Sequence, residues 1–390
     1  MAFRTLEDFD FSGKRVLVRV GMDVPVDKEG NITNAKRIKE ALPTLQYLLD
    51  HEAKQIVIIN HMGRPKGRDD VHLNHDALAK SISEHLNIEV KKLDDCIDID
   101  LPEDRVVLLE NLRFHKEEAG NDEEFAEKLA SYGDIFVNDA FSVSHRAQAS
   151  VVGITKFIPS CAGLLLEREI TVMGSALENP ARPFIVILGG AKISDKLELI
   201  QNLLPRVDRL LLGGAMIFTF YKSLGIEVGK SLVEDNMVTQ VMELLGNKKI
   251  VLPDDIVVGD KFEESAEAKV VDVRGIGDWI GMDIGPKTVE NYQKILANAK
   301  TVVWNGPMGV FEFEKFSHGT VGLAKYLAGL HGAAVIVGGG DSASAIEKTG
   351  LQDKFTHIST GGGASLEFLE GKDLPGIKAL EENSENFEIG

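Results

Sequence analysis

Pro183-Phe184-Ile185-Val186-Ile187-Leu188-Gly189-Gly190-Ala191-Lys192-Ile193-Ser194-Asp195-Lys196-Leu197-Glu198-Leu199-Ile200 decides the fold class of this chain. The unbroken apolar run Ile185 to Leu188 is that of a strand buried on both faces of a parallel sheet. Two glycines then turn the backbone sharply and permit close approach of a ligand. A helical pattern is expected from Ile193, carried on by Leu197, Ile200 and Leu204 at spacings of three and four. Lys192 and Lys196, four residues apart, are expected on one side of that helix near its start. Lysines there oppose the helix dipole, so helix stability does not explain them, whereas an anion held between them and the free backbone N–H groups does. A strand, a tight turn and two solvated lysines account for this piece alone equally well.

The same strand-then-helix alternation runs outward in both directions. Before the stretch, strands are expected at Arg15–Val20, Ile56–Ile59, Val106–Leu109 and Ile135–Val137, with helices over Arg37–Asp50, Leu78–Leu86 and Phe125–Leu129 between them. After it, strands are expected at Val207–Leu212, Lys249–Leu252, Thr301–Trp304 and Ala333–Val337, with a long helix from about Lys287. Repeated alternation means parallel sheets covered on both faces, so the expected class is α/β with two doubly wound, Rossmann-like domains. Cys161 to Glu178, closed by Asn179-Pro180, reads as a helix joining them. The expected division is 1–160 with a returning tail 376–390, the connecting helix 161–179, and 180–375. Asp254 to Asp272 reads as a β-like excursion on the second sheet. The acidic tail Ala379–Gly390 either frays or docks on the first domain.

Composition narrows the function. The chain has 390 residues, 44% hydrophobic and 27% charged, enough for two buried cores. A formal net charge of −18 excludes a broad basic face for nucleic acid or anionic membrane, so any phosphate site is a local basic island. The two cysteines, Cys96 and Cys161, make no disulfide framework and have no metal-ligand spacing; they fit a reducing cytoplasm and read as small buried apolar residues. Met1 to Asp8 has no basic region followed by an apolar core, so no secretory signal is expected. The longest apolar run, Leu210 to Tyr221, falls well short of the ~20 residues of a membrane helix. Gly225 to Ser231 resembles a phosphate-binding Walker loop one residue short, and Gly275 to Gly281 misses the dinucleotide fingerprint by one position; both read as turns.

In open parallel sheets ligands bind beyond the carboxyl ends of the strands. In the second half those positions are glycines: Gly189-Gly190, Gly213-Gly214, Asn305-Gly306-Pro307, Gly338-Gly339-Gly340 and Gly361-Gly362-Gly363. Several such turns on one edge build a backbone-lined anion trough. Asp341-Ser342 then reads as a helix N-cap, or as a carboxylate holding magnesium beside phosphate. In the first half the equivalent positions are basic: Arg37, His61, Arg64, Arg113 and Arg146. Arginine forks match phosphate and carboxylate in two-point geometry. Each alone is a surface ion pair; together, in an acidic chain, they point to a small polyanionic substrate.

The motifs identify the chain as similar to the phosphoglycerate kinase family over nearly its whole length. They are Asn60 to Gly67, Glu110 to His115, Val137-Asn138-Asp139-Ala140-Phe141 to Arg146, Leu188 to Lys196, Asp283 to Pro286, Thr301 to Glu312, Gly338 to Ser342 and His357 to Leu369. The resemblance implies two domains facing across a cleft, 3-phosphoglycerate on the first and magnesium with ADP or ATP on the second. It assigns Arg37, His61, Arg64, Arg113 and Arg146 to the triose, Arg37 reaching the transferred phosphoryl group. Lys192 follows that group and Lys196 sits on nucleotide phosphates. Gly190, Gly214, Asn305, Glu312, Gly339, Gly340 and Ser342 match nucleotide contacts, Asp341 the metal ligand, and Gly340 and Gly363 complete the catalytic set. A cytoplasmic monomer that binds no nucleic acid or membrane is implied.

Departures from the family pattern cluster in one segment. Where Arg-Val-Asp-x-Asn-Val-Pro is usual, the chain reads Arg19-Val20-Gly21-Met22-Asp23-Val24-Pro25. One substrate-facing polar residue is thereby lost, and Asp23 is expected to take over its hydroxyl contact. Gln148 stands where histidine is common and Asn60 where serine is. A phosphate-binding regulatory protein that has lost the first-domain chemistry is the alternative class, opposed by the retained Arg37, Lys192 and Asp341. A dehydrogenase lacks its fingerprint.

Overall fold

The computed structural model describes residues 2–388. The chain divides into two compact units, residues 1–171 with 373–390, and residues 172–372. In the first unit, β1 (Arg15–Val20), β2 (Gln55–Ile59), β3 (Val90–Lys92), β4 (Val106–Leu108), β5 (Ile135–Asp139) and β6 (Ser160–Ala162) form a parallel sheet in the order β3-β4-β2-β1-β5-β6. Side chains alternate across it: Val16, Val18, Ile56 and Ile58 enter one core, and Leu17, Val57 and Ile59 the other. Both sets are apolar because helices cover both faces, which is why these strands read as continuous hydrophobic runs. Helix Lys36–Asp50 buries Ile38, Leu45, Leu48 and Leu49 on one face, each worth about 1.5–3 kcal/mol.

The second unit repeats the plan. It contains β7 (Phe184–Leu188), β8 (Arg209–Leu212), β9 (Ile250–Val251), β10 (Asp255–Gly259), β11 (Ala268–Asp272), β12 (Ile280–Ile284), β13 (Thr301–Asn305), β14 (Ala334–Gly338) and β15 (His357–Ile358). Its parallel sheet runs β15-β14-β13-β7-β8-β9. The chain order reverses between β7 and β13, so the loops after these two strands are where a crevice opens.

Three expectations need correction. The helix expected from Cys161 starts at Leu164, and Ser160–Ala162 is instead an edge strand in which Cys161 pairs with Val137. Asp139 sets that start: its Oδ1 accepts from Leu165 N at 2.9 Å and Leu166 N at 3.3 Å. The helix expected from Ile193 begins only at Leu197, with Lys196 as its N-cap, because Ile193 is buried within a turn. Lys192 and Lys196 therefore belong to a turn rather than to a shared helix face. The segment after Asp254 is a sheet of its own, antiparallel, in the order β11-β10-β12.

The C-terminal helix Pro375–Asn386 packs on the first unit. Asn383 Oδ1 accepts from Ser160 N at 2.8 Å and its Nδ2 donates to Thr155 O at 2.6 Å. Arg4 donates to the Ser384 carbonyl at 3.0 Å. No described helix is long and apolar enough to cross a membrane.

Candidate functional site

In the first unit the candidate residues gather at the carboxyl ends of β1, β2, β4 and β5. Loop residue Asp23 is their hub. Its Oδ1 accepts from Gly63 N at 2.8 Å, its carbonyl accepts from Arg37 Nη1 at 2.9 Å, and its Oδ2 lies 3.5 Å from His61 Nε2. The Gly63 carbonyl in turn accepts from Arg113 Nη1 at 2.7 Å. Burial lowers the Arg113 pKa, and the charges of Arg146 and Arg64 lower it further, so all three arginines share one electrostatic neighbourhood. Arg64 and Arg146 are exposed, and Arg37 is half-buried. A concentration of unneutralised positive charge in a chain of net charge −18 is a local anion site.

Sequence reasoning does not single out Arg19, which sits inside the expected strand Arg15–Val20. It is fully buried. Its Nε donates to Ser150 Oγ at 2.8 Å and its Nη2 to His61 Nδ1 at 2.9 Å. Ser150 Oγ donates to the buried Glu118 at 2.6 Å. Burial lowers the Arg19 pKa to about 10 while Glu118 raises it, so the guanidinium stays charged. Burial likewise pulls His61 down to about 3, leaving it neutral, although Asp23 opposes this. Burial alone would raise Asp23, but the contacts with His61, Gly63 N–H and Arg37 hold it well below the usual carboxylate range. The signal available was a lone arginine flanked by Val18 and Val20 in an otherwise apolar run.

In the second unit the glycine loops after β7, β8 and β13 pack backbone on backbone. A Cβ on Gly189 would lie 1.9 Å from the Pro307 carbonyl, and one on Gly214, at φ +69°, 2.4 Å from Gly190 N. Only glycine fits either place. A cavity of about 500 Å³ opens there, lined by Gly190, Gly214, Glu312 and Asp341 together with Phe218 and Met282. Its wall is largely apolar, with Ile217, Leu232, Phe262 and Ile280 also contributing, and none of these was expected from sequence. Lys196 donates to Asn305 Oδ1. Burial lowers the pKa of Lys196, against the opposing charges of Asp195, Glu370 and Asp341. Ser342 Oγ accepts from Gly306 N at 2.6 Å, tying β13's loop to helix Gly340–Glu347. The N-cap of that helix is Gly339, so capping does not account for Asp341, which is exposed in the first turn. Lys192 is exposed beside the cavity-lining Ala191. Gly363 opens helix Gly363–Leu369 and is not among the residues lining this cavity.

Asp95, Cys96 and His115 bring ligand atoms within 4.8 Å of one another. Arg68 occupies that cluster, paired with Asp95 and 3.1 Å from His115 Nε2, and burial raises the Cys96 thiol pKa. A resident cation and a buried neutral thiol disfavour a metal there.

A family model described as phosphoglycerate kinase matches residues 6–372. A phosphoglycerate kinase of Dictyoglomus turgidum is 52% identical over 97% of this chain and 98% of its own length. A cytosolic phosphoglycerate kinase of Triticum aestivum is 50% identical over 97% and 98%. The solved phosphoglycerate kinase of Coxiella burnetii superposes with a TM-score of 0.90 at 40% identity, covering 98% of this chain and all of that one. With sequence and fold agreeing over almost every residue, the chain belongs to the phosphoglycerate kinase family.

Proposed function

We propose that the chain transfers a phosphoryl group reversibly between 1,3-bisphosphoglycerate and ADP, giving 3-phosphoglycerate and ATP. Membership of the family over residues 6–372 carries this reading. The acceptor is a carboxylate, ionised at neutral pH, so no general base is needed. Catalysis then reduces to positioning and to neutralising charge on the equatorial oxygens during in-line transfer. Arg37, His61, Arg64, Arg113 and Arg146 hold the triose, with Asp23 among them at Gly63 N–H, Arg37 and His61. Gly190, Gly214, Asn305, Glu312, Gly339, Ser342 and Lys196 hold the nucleotide. Arg37, Lys192 and the backbone N–H groups of Gly340 and Gly363 meet the phosphoryl group in transit.

The donor set fits magnesium. Asp341 offers one exposed hard oxygen ligand beside a glycine-lined cavity, and Mg²⁺ takes one or two carboxylates with phosphate oxygens and water. When bound, it supplies neutralisation of phosphate charge. A cytoplasmic monomer is the form proposed, the wheat relative being named as cytosolic. The test is ADP formation from MgATP that depends on added 3-phosphoglycerate. A folded sample with no such turnover would sink the reading.

A further inference from the structure

We infer that Asp23 is a positioning residue of the acceptor half-site, engaged with the Gly63 peptide and His61 rather than with the hydroxyl group of the bound acid. This rests on the reading of the first unit as the phosphoglycerate half-site.

Both carboxylate oxygens already face donors of the protein itself. Oδ1 accepts from Gly63 N at 2.8 Å, and Gly63 holds φ +61° with its carbonyl taken by Arg113 at 2.7 Å. Gly63 is thus held at its N–H by Asp23 and at its carbonyl by Arg113, which links the two side chains. Oδ2 faces His61 Nε2 at 3.5 Å. Arginine has donors only, so Arg19 at Nδ1 forces the imidazole proton onto Nε2, the nitrogen nearest Asp23. The Asp23 carbonyl fixes Arg37 as well. One residue therefore indexes Arg37, His61 and Arg113 to one another.

The departure from the family pattern follows the same logic. The usual segment has one carboxylate, at the position of Gly21; here one carboxylate remains, moved two residues on to Asp23. A Cβ at position 21 would lie 3.0 Å from Ser142 Oγ, so a side chain there requires Ser142 to shift. At Asp23 the negative charge faces His61 and Arg37 instead of standing without a protein partner beside an anionic ligand.

The experiment compares two ligands by calorimetry on the full chain: 3-phosphoglycerate and its analogue lacking the hydroxyl, 3-(phosphonooxy)propanoate. Asp23→Ala is expected to weaken both by the same factor, about tenfold or more, because Gly63 and through it Arg113 lose their anchor whichever ligand is bound. MgADP affinity should not change. Asp23→Asn keeps an oxygen for Gly63 N–H and should recover part of the loss for both ligands alike; it also carries the comparison if Asp23→Ala does not fold. A penalty for 3-phosphoglycerate that vanishes with the analogue would place Asp23 on the hydroxyl and overturn the inference. So would undiminished binding of both ligands. Wild-type protein that binds 3-phosphoglycerate without turning it over refutes the proposed reaction while the comparison still decides the role of Asp23. Wild-type protein that binds neither ligand overturns both.

Discussion

The guanidinium of Arg19 donates from Nη2 to Nδ1 of His61 at 2.9 Å, in a place where neither side chain meets solvent. Since Arg19 cannot accept a proton, neutral His61 must be the Nε2–H tautomer. Long-range ¹H–¹⁵N spectra should show that tautomer alone in the wild type and a mixture in Arg19→Met. The same variant leaves Glu118 buried without its countercharge, which should cost about 3 kcal/mol or more in urea unfolding. A wild-type spectrum of the Nδ1–H form would contradict the assigned network.

Lys192 stands exposed at the turn after β7. As a group meeting the phosphoryl in transit, it should act mainly in the transition state. Lys192→Ala is therefore expected to lower kcat by about a hundredfold or more with little change in either KM. A raised KM with unchanged kcat would make it a ground-state contact instead.

Gly189→Ala tests the backbone packing of the second unit. Its Cβ has no room against the Pro307 carbonyl, so the loop after β13 must move. The expected cost is about 1–3 kcal/mol of stability. Nucleotide affinity should fall while 3-phosphoglycerate affinity stays constant, because the displaced loop lines the cavity of one unit only. Equal loss of both affinities would argue for general unfolding.

Asp341→Asn should raise the magnesium concentration needed for half-maximal turnover, by about tenfold, since a neutral amide is a poorer ligand for a hard cation. Titrating Mg²⁺ at fixed nucleotide measures this. An unchanged magnesium dependence would remove Asp341 from the metal site.

His75 supplies a pH test away from the reaction. It is fully buried, donates from Nδ1 to the Leu109 carbonyl at 2.8 Å, and burial lowers its pKa from 6.5 to about 4. The unfolded chain thus binds a proton there that the folded chain refuses between those values, so stability rises with pH across that window. The contribution is full above about pH 6.5 and is lost as pH falls toward 4, on the order of 3 kcal/mol. His75→Gln should flatten this part of the stability profile. A profile with the same slope in both proteins would show that His75 does not titrate as stated.

What could be read in advance follows the range of the forces involved. β7 was legible because a strand buried on both faces must be apolar along its length, and Phe184–Leu188 is. Ser160–Ala162 was not, because three small residues carry no strand pattern of their own; pairing with Phe136, Val137 and Asn138 makes them a strand. The helix start was misplaced at Ile193 because burial within a turn and burial on a helix face leave the same apolar mark. Arg19 was hidden because charge signals exposure unless partners from distant segments are known, and Ser150 lies far along the chain. The apolar wall of the nucleotide-sized cavity was illegible for the same reason: Phe218, Ile280 and Met282 meet only in the folded unit.

Helix Pro375–Asn386 has a consequence for the order in which the protein is made. The second unit is one continuous stretch of chain, whereas the first waits for its closing helix until the whole of the second has been made. Until then the Ser160 amide and the Thr155 and Ile158 carbonyls lack the Asn383 side chain that satisfies them. On the ribosome the later-encoded unit can thus be finished first, and the earlier one sealed behind it.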